Sequence, residues 1–190
     1  MLQYSPMATV ALLLGGECTG KTALADGLTQ ALREREPELT VAVVPEVLRE
    51  FVARCRRPPT RDEQEAIWRT QTRLLEEAIA ASPTDGLVIC DPAPIMTAVY
   101  SLQYFDDGSL LTPALEEMAS AEKSSRKLVV WCAPDIPWQS DGIQRDGPHA
   151  RERTHELIGT HVVPELERIP LTVASGDVRE RVAQVFPHLT

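Results

Sequence analysis

Residues 15–22 carry the feature that most restricts what this chain can fold into. They read Gly15-Gly16-Glu17-Cys18-Thr19-Gly20-Lys21-Thr22, which matches the pattern G-x-x-x-x-G-K-[ST]. A short apolar run over residues 8–14 precedes them, and residues 23–32 follow with the apolar spacing of a helix. A buried strand, a glycine-rich turn and a helix in this order direct backbone N–H groups and the positive helix N-terminus to one point. The pattern therefore predicts a phosphate-binding loop (P-loop) for a nucleotide.

Each fixed position of the P-loop has a chemical role. Gly15 and Gly20 permit backbone torsions that a Cβ atom would obstruct. We expect the Lys21 ammonium group to reach the β- and γ-phosphate oxygens, and the Thr22 hydroxyl group to ligate Mg²⁺. The other backbone N–H groups of the loop would surround the β-phosphate.

Composition and charge exclude several classes of protein. The chain has 190 residues, of which 43% are hydrophobic and 25% charged, so we expect a single domain over residues 1–190. No apolar stretch approaches the ~20 residues of a membrane span, and the first residues lack the pattern of a signal peptide. A cytoplasmic protein without a membrane partner is the expectation. The net charge of −9 argues against general nucleic-acid binding.

The cationic residues are unevenly divided. The chain has 16 arginines but only three lysines, so the lysine in the P-loop is not explained by abundance: Lys21, Lys123 and Lys127. One basic cluster flanks Pro58-Pro59 and comprises Arg54, Arg56, Arg57 and Arg61. A solvated loop and a grip on a substrate phosphate both fit this cluster. The four cysteines form no C-x-x-C pair, so neither a zinc site nor a disulfide scaffold is predicted.

Apolar runs alternate with helical stretches along the chain. The runs are apolar on both faces, as in buried parallel strands, and cover residues 8–14, 41–44, 87–90, 128–132 and 171–174. Five such strands with helical crossovers predict a doubly wound α/β sheet. A capping box at Thr60 and Glu63 opens a helix that ends at Ser82-Pro83. Further helices are predicted from Thr112, as N-cap, to about 123, over 150–166 with Pro164 kinking or closing it, and over 178–185.

Charged residues follow two of the predicted strands. In open α/β sheets ligands bind beyond the carboxyl ends of the strands. The second strand is followed by Pro45-Glu46, with Arg49 one helical turn later, and the third is followed by Asp91. Asp91 fits the carboxylate that holds Mg²⁺ or its waters, or an N-cap before Pro92. Glu46 fits an acceptor-binding carboxylate, or a surface residue that favours a helix N-terminus.

The segment after the fourth strand has the composition of a lid. Residues 135–153 are polar and charged, contain Gly142 and Gly147, and carry Arg145, Arg151 and Arg153. Arginines on a lid can neutralise charge on a transferring phosphoryl group while closure excludes water. Trp138 fits either stacking on a base or anchoring the lid.

Two P-loop classes lack their signatures here. The chain contains no Asn and no Lys followed two residues later by Asp, so the guanine-reading motif of GTPases is missing. An AAA-type machine is expected to carry Glu directly after the Walker-B aspartate, whereas Pro92 follows Asp91. With these two signatures missing, a small-molecule or nucleoside kinase is the P-loop class that remains.

The motifs together resemble one family. The P-loop, Pro45-Glu46 with Arg49, Asp91, and Pro137-Trp138 with Asp141-Gly142 and Arg145 are similar to the ribosylnicotinamide-kinase domain of the bacterial NAD-biosynthesis regulator and related nucleotide-kinase-like ATPases. The resemblance implies a P-loop kinase fold with strand order 2-3-1-4-5, ATP with Mg²⁺ as phosphoryl donor, and an acceptor pocket between strands two and three. It places the base for the acceptor hydroxyl at Glu46.

The chain departs from that family at two places. Asp91-Pro92-Ala93 stands where the family tends to have Asp-Thr-Asp, and Arg145 follows Gly142 by three residues rather than two. The first departure weakens nicotinamide riboside as acceptor, and the second leaves Arg145, Arg151 and Arg153 open for the lid role. The sequence predicts an ATP-dependent kinase for a nucleoside-like hydroxyl compound, with Lys21, Glu46 and Arg145 catalytic, Arg49 and Asp91 at the substrate, and Thr22 and Asp91 on Mg²⁺. The alternative is a regulatory ATPase with slow hydrolysis and a protein partner.

Overall fold

The sheet at the centre of the molecule has five parallel strands. A computed structural model describes residues 8–120, 125–139 and 147–189. The strands lie in the order β2-β3-β1-β4-β5, which confirms the predicted order. Their bounds are β1 Thr9–Leu14, β2 Val41–Val44, β3 Leu87–Cys90, β4 Arg126–Cys132 and β5 Leu171–Ala174. The predicted runs are correct to within two residues.

Helices cover both faces of the sheet. They are α1 Lys21–Arg35, α2 Val47–Cys55, α3 Gln64–Ala81, α4 Ile95–Phe105, α5 Leu111–Ser120, α6 Pro148–His161 and α7 Val178–Val185. In β1, Val10, Leu12 and Leu14 belong to a core shared with α3, α4, α5 and α6. Ala11 and Leu13 belong to a second core shared with α1 and α7. Within the described residues, no helix has the length and apolar character that crossing a bilayer requires.

The two edge strands are less buried than predicted. All residues of β3 are buried, and β1 is buried apart from Thr9. By contrast, Val43 in β2 is 44% exposed and Val173 in β5 is 50% exposed. Each edge strand has a sheet neighbour on only one side. The prediction that every strand is buried on both faces was therefore wrong for β2 and β5.

Several helix ends differ from the predicted ones. The Thr60–Glu63 capping box is present, and the chain passes through a 3-10 turn at Arg61–Glu63 into α3. Thr112 is not an N-cap, because α5 already begins at Leu111 and the Ala114 N–H bonds to the Leu110 carbonyl at 3.1 Å. The predicted end of this helix, at about residue 123, lies outside the described residues. Pro164 closes α6 rather than kinking it, since it falls in a separate 3-10 turn at Val163–Glu165.

Candidate nucleotide site

The P-loop leads directly from β1 into α1. Gly20 caps the helix in the left-handed region at φ 78°, and Gly15 has φ 145°. A Cβ atom on Gly15 would lie 2.5 Å from the Thr19 hydroxyl oxygen. Both glycines are therefore required by the backbone path of the loop, as the sequence pattern predicted.

The Lys21 side chain is bound to the loop that precedes it. Its Nζ donates to the carbonyl oxygens of Gly15 at 2.9 Å and Gly16 at 2.8 Å. The residue is only 9% exposed, so it is held in one place rather than extended into solvent. Oxygens of a bound phosphate would compete with these two carbonyls for the ammonium group.

Thr22 and Asp91 meet at the carboxyl ends of β1 and β3. The Thr22 hydroxyl group donates to Asp91 Oδ2 at 2.6 Å, and the Asp91 N–H bonds to the Val44 carbonyl at 3.0 Å. A hydroxyl and a carboxylate oxygen in contact are the ligand types that suit Mg²⁺, which takes one or two carboxylates and completes its shell with phosphates and water. The two residues thus fit the ion that the P-loop pattern implies.

Glu46 lies at the end of β2 with its carboxylate largely shielded. Its side chain is 16% exposed, and Oε2 accepts from Arg49 Nη2 at 3.1 Å. Burial raises the pKa of the Glu46 carboxyl group above its ordinary value, while the positive charges of Lys21 and Arg49 oppose that shift. Because Val44 and Leu12 both pair with Cys90, the ends of β1, β2 and β3 bring Glu46, Asp91 and the P-loop together.

Gln71 fixes the backbone on both sides of Glu46. This side chain of α3 is buried; its Oε1 accepts from the Val47 N–H at 2.9 Å, and its Nε2 donates to the Pro45 carbonyl at 3.0 Å. The sequence predicted a helix over this segment but no role for Gln71. A polar residue at an apolar position of that helix was the one signal of its role.

Two arginines support the P-loop from behind. Arg151 in α6 donates from Nη1 to the carbonyls of Ile136 at 2.8 Å and Cys18 at 3.5 Å. Arg181 in α7 is 1% exposed and donates to the Thr19 carbonyl at 2.5 Å while it pairs with Asp135. Sequence reasoning missed Arg181, because an arginine in a terminal helix has the pattern of a solvated residue.

The candidate lid arginines have different surroundings. Arg153 is exposed and pairs with Glu156 at 3.2 Å on the surface of α6. Arg151 contacts the P-loop backbone instead, and its Nε is buried without a hydrogen-bond partner in the part of the chain that is described. Arg145, with residues 140–146 of the predicted lid, lies outside the described residues.

A cavity of about 720 Å³ opens from the P-loop. Its lining comes from the P-loop, α2, the Pro58-Pro59 segment, α3, α4 and the segment after β4: residues 17–23, Glu46, Leu48, Arg49, Val52, Pro58, Pro59, Gln64, Tyr100, Tyr104, Phe105, Ile136, Pro137 and Gln139. Its volume suits a small molecule next to a nucleotide. Trp138 is half-buried and does not line this cavity, so its neighbours Ile136 and Pro137 form that wall.

Two arginines of the predicted basic cluster, Arg57 and Arg61, form surface ion pairs. Arg57 pairs with Glu63 at 2.7 Å and Arg61 with Asp107 at 2.8 Å, and both arginines are exposed. The arginine that lines the cavity is Arg49. The bonding of Arg57 and Arg61 therefore favours the solvated-loop interpretation for these two residues.

The strand order, P-loop and adjoining cavity define a P-loop protein with the nucleotide-kinase-like fold. Similar solved structures include a NadR protein in complex with NAD and AMP-PNP, at 18% identity and TM-score 0.69 over 96% of this chain and 50% of that chain. The NadR protein in complex with NR is 19% identical with TM-score 0.67, and the match covers 96% of this chain and 52% of that chain. The chain thus spans about half the length of those NadR chains.

Two kinases are similar over nearly their whole length. Thymidylate kinase from Ehrlichia chaffeensis is 14% identical with TM-score 0.66, covering 97% of this chain and 100% of that one. Deoxyadenosine kinase from M. mycoides is 10% identical with TM-score 0.58, covering 96% and 98%. At such identities these similarities establish the fold. Comparison with curated proteins finds no match.

The chain belongs to the AAA_28 family, described as AAA domain, whose sequence profile matches residues 10–181. From the sequence, we excluded AAA-type proteins because the residue after Asp91 is not Glu, and that exclusion was therefore too broad. Pro92, joined to Asp91 by a cis peptide bond, does stand where Glu was expected. Its presence distinguishes this chain from AAA machines that carry that Glu, but it does not place the chain outside a family bearing the AAA description.

Cysteine labelling offers a test of nucleotide binding that needs no acceptor. Cys18 lies in the P-loop and is partly exposed, whereas Cys90 and Cys132 are buried, and burial raises their pKa to about 12 and about 11. We expect a maleimide reagent to modify Cys18 before Cys90 and Cys132, and ATP with Mg²⁺ to protect it. Peptide mapping by mass spectrometry gives the order, with partly exposed Cys55 as the internal control. Equal labelling of Cys18 with and without nucleotide would contradict nucleotide binding at this loop.

Proposed function

We propose that this protein is an ATP-dependent small-molecule kinase that transfers the γ-phosphoryl group to a hydroxyl group of a nucleoside-like acceptor in the cytoplasm. The observation that carries the proposal is the shared cavity: the P-loop and the shielded Glu46 carboxylate line the same space of about 720 Å³. A protein that only hydrolyses nucleotide needs room for water beside the phosphates. A kinase needs room for a second molecule there, with a base at its hydroxyl group.

We assign the residues these roles in the proposed reaction. Lys21 and the loop N–H groups would hold the β- and γ-phosphates, and Glu46 would orient and deprotonate the acceptor hydroxyl. Thr22 and Asp91 would hold Mg²⁺, which neutralises phosphate charge when bound. A raised pKa suits Glu46 to this task, because a stronger base accepts a proton more readily.

Nicotinamide riboside is the leading candidate acceptor. The family resemblance and the similarity to a NadR protein in complex with NR support it, whereas the missing second carboxylate after Asp91 counts against it. The test is a nucleoside library measured by thermal shift and ATP consumption. An acceptor at 100 times its Kd should stabilise the protein by about 2.7 kcal/mol. Stimulation of ATP consumption by no hydroxyl compound would contradict the kinase.

A regulatory ATPase is the second candidate function. The AAA description of the family favours it. It predicts slow ATP hydrolysis that no small acceptor accelerates, together with a conformational state passed to a protein partner. Acceptor-dependent ATP turnover therefore separates the two functions directly.

The lid arginines can be compared within one series of variants. We expect Arg145→Ala to lower kcat and kcat/KM together by about 10³-fold or more, with little loss of ATP affinity, because an arginine finger that stabilises charge developing in the transition state is lost. Arg151→Ala should lower Tm as well, since Arg151 bonds to backbone carbonyls. Arg153→Ala, on the exposed face, is the matched control and should change neither the kinetic constants nor Tm. A loss of kcat in Arg151→Ala with unchanged Tm, and none in Arg145→Ala, would move the role to Arg151.

A further inference from the structure

The residues that line the cavity are of two kinds. The P-loop, Glu46 and Arg49 supply its charged groups. Most of the other lining side chains are apolar or aromatic, among them Val52, Pro59, Tyr100 and Phe105. A molecule that fills this space would therefore place a hydroxyl group near Glu46 and an apolar, ring-shaped part against the apolar side chains.

Two glutamines line the cavity, Gln64 and the exposed Gln139. Gln64, the first residue of α3, lines the cavity and is only 4% exposed. Its side chain makes no hydrogen bond within the described residues, although a buried amide offers two donors and two acceptor sites. Because Gln64 lines the cavity, a molecule bound there can reach this amide.

Gln71 provides an internal comparison on the same helix. It lies two helical turns from Gln64, on the same face, and is equally buried at 3% exposed. Its amide oxygen and nitrogen both bond to backbone groups beside Glu46. Protein partners thus satisfy one glutamine of this face, while the other faces a ligand-sized space.

We propose that Gln64 determines acceptor specificity by bonding the edge of a planar aromatic ring that carries a donor and an acceptor side by side. A ring carboxamide or an aminopyrimidine edge has this arrangement, and the Gln64 amide presents its complement. This inference rests on the proposed function, in that the ring belongs to the acceptor whose hydroxyl group meets Glu46. It adds the chemistry of the recognised edge, which the P-loop and Glu46 do not determine.

The experiment uses matched pairs of acceptors. Each pair shares its sugar and ring size but differs at the edge, as in nicotinamide riboside against nicotinic acid riboside, and adenosine against purine riboside, which lacks the amino group of the edge. We expect wild type to favour one member of at least one pair by about 10- to 100-fold in kcat/KM, since one or two buried hydrogen bonds differ. Gln64→Met, which is close in shape but cannot donate, should remove that preference by weakening the favoured member. An unchanged preference in Gln64→Met would overturn the proposal.

Stability measurements separate recognition from folding. Because the Gln64 amide has no partner to lose, Gln64→Met and Gln64→Leu should keep or raise Tm and retain ATP affinity. Gln71→Met, the matched control, should lower Tm because two backbone groups lose their bonds. A fall in Tm for both Gln64 variants as large as that of Gln71→Met would identify Gln64 as structural and overturn the proposal.

Binding distinguishes a failure here from a failure of the proposed function. The same acceptor pairs are titrated by calorimetry in the presence of a non-hydrolysable ATP analogue. Pair discrimination in binding that Gln64→Met removes, without phosphoryl transfer, would refute the kinase but support the role of Gln64. If phosphoryl transfer occurs and Gln64→Met leaves the preference within each pair unchanged, the result would support the kinase and refute the proposed role of Gln64. Binding of no ring compound to wild type would refute the role of Gln64.

Discussion

Replacing Lys21 with alanine is expected to abolish detectable ATP binding while the domain stays folded. Lys21 carries the one positive side chain of the P-loop, and its ammonium group is held by the carbonyls of Gly15 and Gly16 beside the expected phosphate position. The positive charge of Lys21 beside the β- and γ-phosphates contributes binding free energy that the backbone N–H groups alone do not replace. Calorimetric ATP titration with Mg²⁺ measures the effect.

Two further variants show whether the charge itself is responsible. Lys21→Met keeps most of the buried side-chain stem, so it should preserve Tm better than Lys21→Ala while it loses ATP binding equally. Arg153→Ala removes an exposed positive charge far from the P-loop in sequence and should bind ATP as wild type does. Wild-type affinity and turnover in both Lys21 variants would remove the P-loop interpretation altogether.

The sheet and the P-loop were predictable because local patterns determine them. Each strand is a short apolar run between turn or helix signals, and the P-loop is contiguous in sequence. The partial exposure of β2 and β5 was not predictable. It depends on whether a strand has sheet neighbours on both sides, and a local sequence pattern does not contain that information. Helix α4 was missed because residues Ile95–Val99 and Ser101 are all buried, so the polar face that reveals an amphipathic helix is lacking.

The same distinction between local pattern and tertiary packing applies to the candidate site. Thr22 and Asp91 were expected to act together, and they are in hydrogen-bond contact. Gln64, Gln71 and Arg181 were not assigned roles, because their surroundings come from segments distant in sequence: Arg181 and Thr19 are 162 residues apart. A glutamine or arginine on a helix has the same local pattern whether it is solvated or buried. Only the packed structure distinguishes the two.

Replacing Glu46 with glutamine is expected to lower phosphoryl transfer by about 10²- to 10⁴-fold, the usual contribution of a positioned general base. Glutamine keeps the shape and an oxygen for the Arg49 bond but does not accept a proton. ATP affinity should be unchanged, because the proposed role places the carboxylate at the acceptor rather than at the triphosphate. Glu50→Gln is the matched control: it neutralises an exposed glutamate in α2, the helix that begins directly after Glu46, and should leave transfer unaltered.

The pH dependence gives an independent test of the same carboxylate. Catalysis needs Glu46 deprotonated, so kcat/KM should fall as the pH drops through the pKa of that group. Since burial raises this pKa, the acid limb should lie above the pH at which an ordinary glutamate titrates, and it should disappear in Glu46→Gln. Single-turnover transfer and acceptor-free hydrolysis are measured in both proteins. A loss confined to transfer identifies a kinase, whereas equal rates in wild type and Glu46→Gln would exclude Glu46 as the base and favour the regulatory ATPase.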